Sequence, residues 1–244
     1  MTGKDRLYEN TITEPGDFVF DERVVSVFPD MINRSIPGYG TIVPMIGMLA
    51  RRYARPDTRL YDLGCSLGAV TLAMRNAVTV KGARIVAVDN SAEMVAGLRN
   101  TLQEHPDPAL PPVELRQEDI RDTPVIQASV VVLNFTLQFV DPAHRNTLLE
   151  RIANGLETGG ILVLSEKICF QDSAEQALQT EWHHDFKRAQ GYSDLEIARK
   201  RDALENVMVP ESLEQHRKRL SSAGFRSVHP WFQGFNFMSL VAFR

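Results

Sequence analysis

The chain has 244 residues and a formal charge of −4 at pH 7, with 27 lysines and arginines against 31 aspartates and glutamates. Its 43% hydrophobic and 24% charged residues exclude a disordered, collagen-like or membrane-spanning class, and the negative charge argues against nucleic-acid binding through bulk attraction to phosphates. Two cysteines cannot supply a disulfide framework or a zinc site. The sequence shows neither an apolar run of membrane-spanning length nor the apolar core of a signal peptide. We therefore predict a cytoplasmic protein.

Residues 1–55 are predicted to form an N-terminal arm and two helices. The first twenty residues have no hydrophobic period and contain Pro15 and Gly16, which indicates an arm. A helical pattern begins near Asp21 and ends before Pro37, and a second helix covers 41–53.

From residue 59 onward, short apolar strands alternate with helices. The predicted strands are 59–63, 84–89, 113–116, 129–134 and 161–166. Helices follow the first strand from Ala69, the second strand from an N-cap at Ser91, and the fourth strand over 142–156, closed by the glycines at 159 and 160. Strands of continuous valine, isoleucine and leucine separated by helices indicate a parallel sheet that is covered on both faces.

The C-terminal part departs from this alternation. Residues 170–210 form a polar helical insertion, a helix covers 211–223, and two strands at 227–232 and 237–243 suit an antiparallel hairpin. We therefore predict one domain over 1–244 with the Rossmann-like α/β fold of class I S-adenosylmethionine-dependent methyltransferases. This fold has a mostly parallel seven-stranded sheet, which here carries a C-terminal antiparallel hairpin and helical additions.

A glycine-bearing turn after the first strand predicts a nucleoside site. The motif Asp62-Leu-Gly64-Cys-Ser66-Leu-Gly68 lacks the middle glycine of the dinucleotide pattern and has the shorter spacing that suits S-adenosylmethionine. A plain strand-turn-helix remains the alternative. Asp89 ends the next strand, where its carboxylate can accept hydrogen bonds from both ribose hydroxyls; capping of the following helix is the alternative.

Further candidates follow the later strands. Asp119 and Ile120 would meet the edge and face of adenine, unless they form a solvated loop, and Asn134 would face the transferred group, unless it only caps the strand. Cys65 could be a nucleophile at a helix N-terminus, but a small packing group is the favoured interpretation.

The helical insertion carries a run of histidines and basic residues. His183 and His184 are adjacent and diverge by about 100° on a helix, so no metal site is predicted. Arg201 could recognise a carboxylate with its planar guanidinium, although a salt bridge to Glu205 or a solvated basic face would also explain it. On charge alone His183, Arg199 and Lys200 are candidates for holding an anionic substrate; the charges do not decide between them.

Several segments together resemble the carboxy-S-adenosyl-L-methionine synthase family over nearly the whole chain. They are Phe20-Asp-Glu-Arg, Arg34-Ser-Ile-Pro-Gly-Tyr39, Leu164-Ser-Glu-Lys167, His183-His-Asp-Phe-Lys-Arg-Ala, Trp231-Phe-Gln and the longer segments 27–32, 61–69, 132–139 and 200–208. The resemblance implies conversion of S-adenosylmethionine and prephenate into carboxy-S-adenosylmethionine and phenylpyruvate. It also implies a partner enzyme, a tRNA carboxymethyltransferase, that uses the product to build 5-carboxymethoxyuridine at the wobble position.

The resemblance also implies site residues and partners. Arg201 would anchor the new carboxylate, while Tyr39 and Asn134 would orient the reacting end. It implies a homodimer without a metal, and we expect neither direct tRNA binding nor membrane association. A conventional methyltransferase acting on tRNA or a small molecule is the first alternative, and a non-enzymatic nucleoside-binding protein is the second. Contacts to S-adenosylmethionine or carboxy-S-adenosylmethionine fall on Tyr39, Gly64, Cys65, Ser66, Asp89, Asn90, Asp119, Ile120, Asn134 and Arg201.

Overall fold

The fold is taken from a computed structural model, which describes Asp5, residues 22–205 and residues 207–244, without the side chains of 22–24, 204 and 205. The predicted arm therefore lies outside the described residues except for Asp5. The helices are α1 (Glu22–Ser35), α2 (Tyr39–Tyr53), α3 (Ala69–Ala77), α4 (Ala92–Glu104), α5 (Pro142–Gly155), α6 (Ser173–Ala189), α7 (Asp194–Glu205) and α8 (Leu213–Ser222). The strands are β1 (Arg59–Leu63), β2 (Arg84–Asp89), β3 (Val113–Gln117), β4 (Ala128–Asn134), β5 (Leu156–Lys167), β6 (Ser227–Gly234) and β7 (Phe237–Phe243).

All seven strands form one sheet in the order β3-β2-β1-β4-β5-β7-β6. Strands β1 to β5 pair in parallel, and β7 runs antiparallel to both β5 and β6. The chain moves outward from β1 to β3 and then returns to β4, so the strand order reverses between β1 and β4. The loops that leave these two strands diverge and open a crevice at their carboxyl ends, which is where such sheets bind ligands. The predicted fold class is confirmed.

Apolar side chains fill both faces of the sheet because successive strand residues point to opposite sides. Tyr61 belongs to a core cluster with residues of α5 and α8, whereas its neighbour Leu60 packs with residues of α2 and α3. Helix α4 adds Leu98 against Ala87 of β2. The three-layer arrangement follows from strands whose residues are almost all buried.

The predicted start of the fifth strand is wrong. Strand β5 begins at Leu156 and not at 161, so α5 ends at Gly155 and the glycines at 159 and 160 lie inside the strand. Leu156 pairs with Ala128 of β4, and regular pairing resumes only between Ile161 and Val130. The β5 segment between these two pairs is irregular, and the apolar pattern of the sequence does not show it. The polar insertion contains two helices, because a left-handed glycine at 191 (φ 85°) separates α6 from α7.

Helices α1, α6 and α7 meet above the carboxyl ends of the strands. Their junction is Ser35, the last residue of α1. Its carbonyl oxygen lies 2.9 Å from Nε2 of His183 on α6, and its hydroxyl accepts a 2.7 Å hydrogen bond from Nζ of Lys200 on α7. These three helices form a roof over the crevice. Among the described residues, no helix is both long and apolar enough to span a bilayer.

Candidate functional site

A cavity of about 490 Å³ lies between this roof and the carboxyl ends of β1, β2, β4 and β5. Its size falls in the range of small-ligand sites. A more open hollow of about 620 Å³ lies at the opposite end of the sheet, beside α5, and contains none of the predicted site residues. Seven predicted contact residues line the crevice cavity: Gly64, Ser66, Asp89, Asn90, Asp119, Ile120 and Asn134.

The turn between β1 and α3 presents backbone to the cavity. The N–H groups of Gly64 and Cys65 both donate to the Val88 carbonyl, at 2.8 and 2.9 Å. Gly64 has φ 82°, and a Cβ there would lie 2.4 Å from Cγ2 of Thr136. Only glycine combines this conformation with this close approach. The turn is therefore shaped for contact between a ligand and the peptide backbone.

Asp89 ends β2 with its carboxylate against the same turn. Oδ2 accepts the backbone N–H of Ser66 at 2.8 Å, and Oδ1 accepts that of Ser91 at 3.0 Å. Burial raises the pKa of Asp89 above its ordinary value, and these N–H groups counter part of the shift. Ser91, as predicted, caps α4 by accepting the N–H of Met94, so Asp89 is not the helix cap. Each carboxylate oxygen keeps acceptor capacity for a ligand hydroxyl.

Asp119 and Ile120 lie beyond Asp89 in the cavity wall. The Asp119 carboxylate pairs side-on with the Arg121 guanidinium, with Nη2 2.6 Å from Oδ2 and Nε 3.0 Å from Oδ1. This pairing lowers the pKa of Asp119. Arg121 also lines the cavity and was not predicted. The acidic group at this end of the cavity is thus already neutralised, while Ile120 offers an apolar surface.

Asn134 and Phe135 form the floor of the cavity at the end of β4. The Asn134 side-chain oxygen is buried and has no hydrogen-bond partner in the described part of the chain. An unpaired buried acceptor costs about 1–3 kcal/mol, so a donor from a bound ligand would stabilise it. Phe135 adopts φ 61°, which a bulky residue rarely does, and its N–H donates to the Ser165 carbonyl at 2.7 Å. Such strain is typical of functional sites.

Two other predicted residues contribute less directly. Tyr39 does not line the cavity, and its ring packs at 6.3 Å from that of Phe135, which does. Burial raises the pKa of the Tyr39 phenol, and so does the nearby charge of Asp62. Cys65 turns its side chain into a cluster with Ala87, and burial raises the pKa of its thiol. A packing role for the Cys65 side chain agrees with this placement.

Arg201 does not reach the cavity of its own chain. Its side chain is 61% exposed, and Nη2 lies 3.0 Å from Oδ1 of the neighbouring Asp202. Within one chain, α7 directs this side chain to the surface. The alternative salt bridge to Glu205 involves a side chain outside the described residues. The role of Arg201 toward a carboxylate stays a prediction.

Basic side chains gather at the end of the cavity that lies under α6 and α7. Lys200 and His183 line it as predicted anion candidates, whereas Arg199 does not. Burial lowers the pKa of Lys200 to about 8 and that of His183 far below its usual range, so the imidazole is neutral. In the described part of the chain no cluster of metal-ligating side chains occurs.

Sequence patterns did not identify three parts of the wall. Phe28, Met31 and Ile32 of α1 form an apolar wall, and their helical spacing predicts a buried face without showing what that face covers. Gln138 lies in the turn after β4, where its side-chain oxygen accepts the Lys167 N–H at 2.9 Å. The position of Lys167 at the carboxyl end of a parallel strand was a usable signal, since such ends converge on the crevice.

Asp62 should make the stability of the protein depend on pH. Its carboxylate is 1% exposed and accepts the Thr71 hydroxyl, and burial raises its pKa to about 7. The folded state therefore holds this proton more tightly than the unfolded state, where the pKa is about 3.9. The associated stability is complete below about pH 4 and is lost at about 1.4 kcal/mol per unit until pH passes about 7.

Asp62→Asn removes this titration and keeps an acceptor for Thr71. The stability of the variant minus that of the unmutated protein should be roughly 2–3 kcal/mol higher at pH 8 than at pH 5, because only the unmutated protein loses stability between these pH values. Denaturant titrations at both pH values measure the difference. An equal gap at the two pH values would show that Asp62 is not the titrating group.

Known proteins match this chain at three levels. A family model described as a methyltransferase domain matches residues 60–160. The carboxy-S-adenosyl-L-methionine synthase of Geobacter sp. (strain M21) is 55% identical over 245 residues, and that of Aliivibrio fischeri (strain MJ11) is 52% identical over 244 residues; in each pair both chains are fully covered.

Solved structures share the fold at low sequence identity. Human N-acetylserotonin methyltransferase in complex with SAM has a TM-score of 0.60 at 16% identity, over 91% of this chain and 55% of that one. Magnesium protoporphyrin IX methyltransferase from Synechocystis PCC 6803 with bound SAM has a TM-score of 0.57 at 16% identity, over 94% and 86% of the two chains. These structures show the fold, while the relatives at 52% and 55% identity confirm the family resemblance noted in the sequence.

Proposed function

The chain belongs to the carboxy-S-adenosyl-L-methionine synthase family, and on this premise we propose that it moves the ring carboxyl group of prephenate onto the methyl carbon of S-adenosylmethionine. The other products are phenylpyruvate and water, formed from the ring hydroxyl and a methyl proton. The observation that carries the proposal is the polarity of the cavity. Carboxylates lie at one end, an unpaired amide oxygen in the middle, and buried ammonium groups at the other end.

The residues at the acidic end fit S-adenosylmethionine. Asp89 would accept the ribose hydroxyls, the Gly64 turn would follow the methionine part, and Ile120 would cover adenine. Asn134 offers its unpaired oxygen beside the reacting end. When bound, S-adenosylmethionine supplies a sulfonium methyl group, whose protons are acidified by the adjacent positive sulfur.

The side chains around Asn134 are suited to excluding water. Its neighbours in the cavity wall are Phe135, Thr136 and Phe237, and in this described group there is no base strong enough to deprotonate a methyl group. We propose that the proton acceptor is the hydroxide that leaves prephenate as its ring becomes aromatic. The protein then contributes by holding both molecules in contact and keeping carbon dioxide and hydroxide from escaping.

Arg201 enters this proposal from a second copy of the chain. The guanidinium is exposed and, among the described residues, its salt-bridge partner is the half-exposed Asp202, so we propose that it reaches a carboxylate in a partner's cavity. Large exposed apolar residues on the same insertion, Leu178, Trp182 and Leu195, support a covered face in a homodimer. In this arrangement Arg201 recognises the carboxylate of the product.

We further propose that the product feeds a separate tRNA carboxymethyltransferase that forms 5-carboxymethoxyuridine at the wobble position. Direct binding of tRNA is not part of the proposal, because a net charge of −4 provides no bulk attraction to phosphates. We also propose that the protein acts in the cytoplasm.

The test is the mass of the small molecule that purified protein releases on denaturation. We expect carboxy-S-adenosylmethionine, heavier than S-adenosylmethionine by one carbon dioxide, after incubation with S-adenosylmethionine and prephenate. Release of unmodified S-adenosylmethionine, together with S-adenosylhomocysteine when an acceptor is supplied, would instead identify a conventional methyltransferase.

A further inference from the structure

Two lysine ammonium groups face the cavity at the end farthest from Asp89. Lys167 is the last residue of β5, and Lys187 lies in the last turn of α6 and is 8% exposed. Both line the cavity. Burial lowers the pKa of both amines, to about 7 for Lys187, which also feels the charges of Lys200 and Lys167. Each amine in this poorly hydrated space would therefore bind its proton more tightly when an anion lies beside it.

Neither ammonium is neutralised by a carboxylate in the described residues. Lys200, the third lysine in the wall, differs, because its Nζ lies 3.7 Å from Oδ2 of Asp5 and donates to Ser35. The buried carboxylate of Glu166 lies next to Lys167 in sequence but accepts the backbone N–H groups of the Leu137 turn instead. Among the described lysines that line the cavity, Lys167 and Lys187 are therefore the two without a carboxylate partner.

The order of the strands separates this pair from the nucleoside end. Strand β5 lies three strands away from β2, which ends at Asp89, and strands are spaced by about 4.8 Å. The separation along the sheet edge is therefore roughly 14 Å. Asn134, at the end of β4, lies between the two ends. A nucleoside held at Asp89 would place its reacting end near Asn134 and leave the lysine end for a second molecule.

We infer that Lys167 and Lys187 form a carboxylate subsite for the second substrate, an inference that rests on the proposed function. Prephenate carries two carboxylates, one on the ring and one on the pyruvyl side chain. The geometry points to the pyruvyl carboxylate, because ammonium groups on the ring carboxylate would stabilise the starting charge and oppose its loss. The subsite therefore also binds phenylpyruvate, which keeps only the pyruvyl carboxylate.

Replacing each lysine with methionine removes the charge while keeping an unbranched side chain of similar length. For Lys187→Met and Lys167→Met, we expect the KM for prephenate and the Kd for phenylpyruvate to rise roughly ten- to one-hundred-fold. The Kd for S-adenosylmethionine, measured by calorimetry, should change less than twofold. Lys218→Met, on the exposed surface of α8, is the matched control and should match the unmutated protein in all three constants.

The melting temperature separates a binding role from a structural one. Removing a buried, unpaired ammonium relieves a desolvation cost, so the free Lys187→Met protein should melt at the same or a higher temperature. A fall in melting temperature with unchanged phenylpyruvate affinity would show that Lys187 only supports the fold and would overturn the inference.

Other outcomes also decide. If the variants lose affinity for S-adenosylmethionine, the lysines bind its methionine carboxylate. If the KM for prephenate rises while the affinity for phenylpyruvate is unchanged, they bind the ring carboxylate. Either result contradicts the inference. If the unmutated protein makes no product, the proposed function fails. In that case phenylpyruvate binding that is lost in both lysine variants would still support the subsite, and absence of phenylpyruvate binding to the unmutated protein would end it.

Discussion

Replacing Asp89 with alanine should weaken S-adenosylmethionine binding by about one-hundredfold or more. Each buried ligand hydroxyl left without its acceptor costs about 1–3 kcal/mol, and two ribose hydroxyls would lose theirs. The same carboxylate also holds the Ser66 N–H at 2.8 Å, so the turn at Gly64 loses an anchor. Calorimetric titration measures the affinity, and circular dichroism checks that the fold persists.

Ser91→Ala provides the control for Asp89. It removes the Ser91 hydroxyl, which caps α4 by accepting the Met94 N–H, and it leaves the Asp89 carboxylate in place. Loss of a cap costs about 1 kcal/mol of stability. We therefore expect a lower melting temperature with unchanged affinity. If Asp89→Ala behaves in the same way as Ser91→Ala, the carboxylate serves the fold and not the ribose.

Gly64→Ala should also weaken the affinity for S-adenosylmethionine by at least about thirtyfold. A non-glycine residue at φ 82° costs about 1–2 kcal/mol, and overpacking adds about 1–3 kcal/mol. The added Cβ would lie 2.4 Å from Cγ2 and 2.5 Å from Oγ1 of Thr136, which itself lines the cavity. The turn or Thr136 must move, and either movement disturbs the ligand surface.

A second variant divides this loss into its two causes. Gly64→Ala combined with Thr136→Ala removes the two shortest contacts and leaves Cβ of residue 136 at 3.0 Å, so it should recover part of the affinity while the backbone strain remains. Gly224→Ala is a matched control, since its φ is 102° and the new Cβ would have no neighbour nearer than 4.0 Å. It should lower stability but leave affinity unchanged. Native affinity in Gly64→Ala would remove the turn from the site.

Local sequence patterns predicted the sheet and several residues that line the cavity, Gly64 and Asp89 among them. Buried strands such as β1 and β4 consist of continuous apolar residues, and Gly64 and Asp89 lie where such strands end. These features depend on spacing within a few residues, so one sequence is enough to see them. The irregular start of β5 was missed because Gly159 and Gly160 are ordinary helix-ending signals and only the pairing with β4 shows otherwise.

The roof of the cavity depends on contacts between distant segments. Ser35 joins α1 to His183 across 148 positions and to Lys200 across 165, and nothing local indicates this junction. The direction in which α7 turns its side chains follows from the same packing. Sequence alone therefore could not separate Lys200, which faces the cavity, from Arg201, which faces outward.

The most direct test of the account follows the carbon atom that is transferred. The protein is incubated with S-adenosylmethionine and prephenate labelled with ¹³C in the ring carboxyl group, and the nucleoside product is examined by mass spectrometry. We predict carboxy-S-adenosylmethionine that carries the label, together with unlabelled phenylpyruvate. A nucleoside product without the label, or S-adenosylhomocysteine in its place, would contradict carboxyl transfer in this cavity.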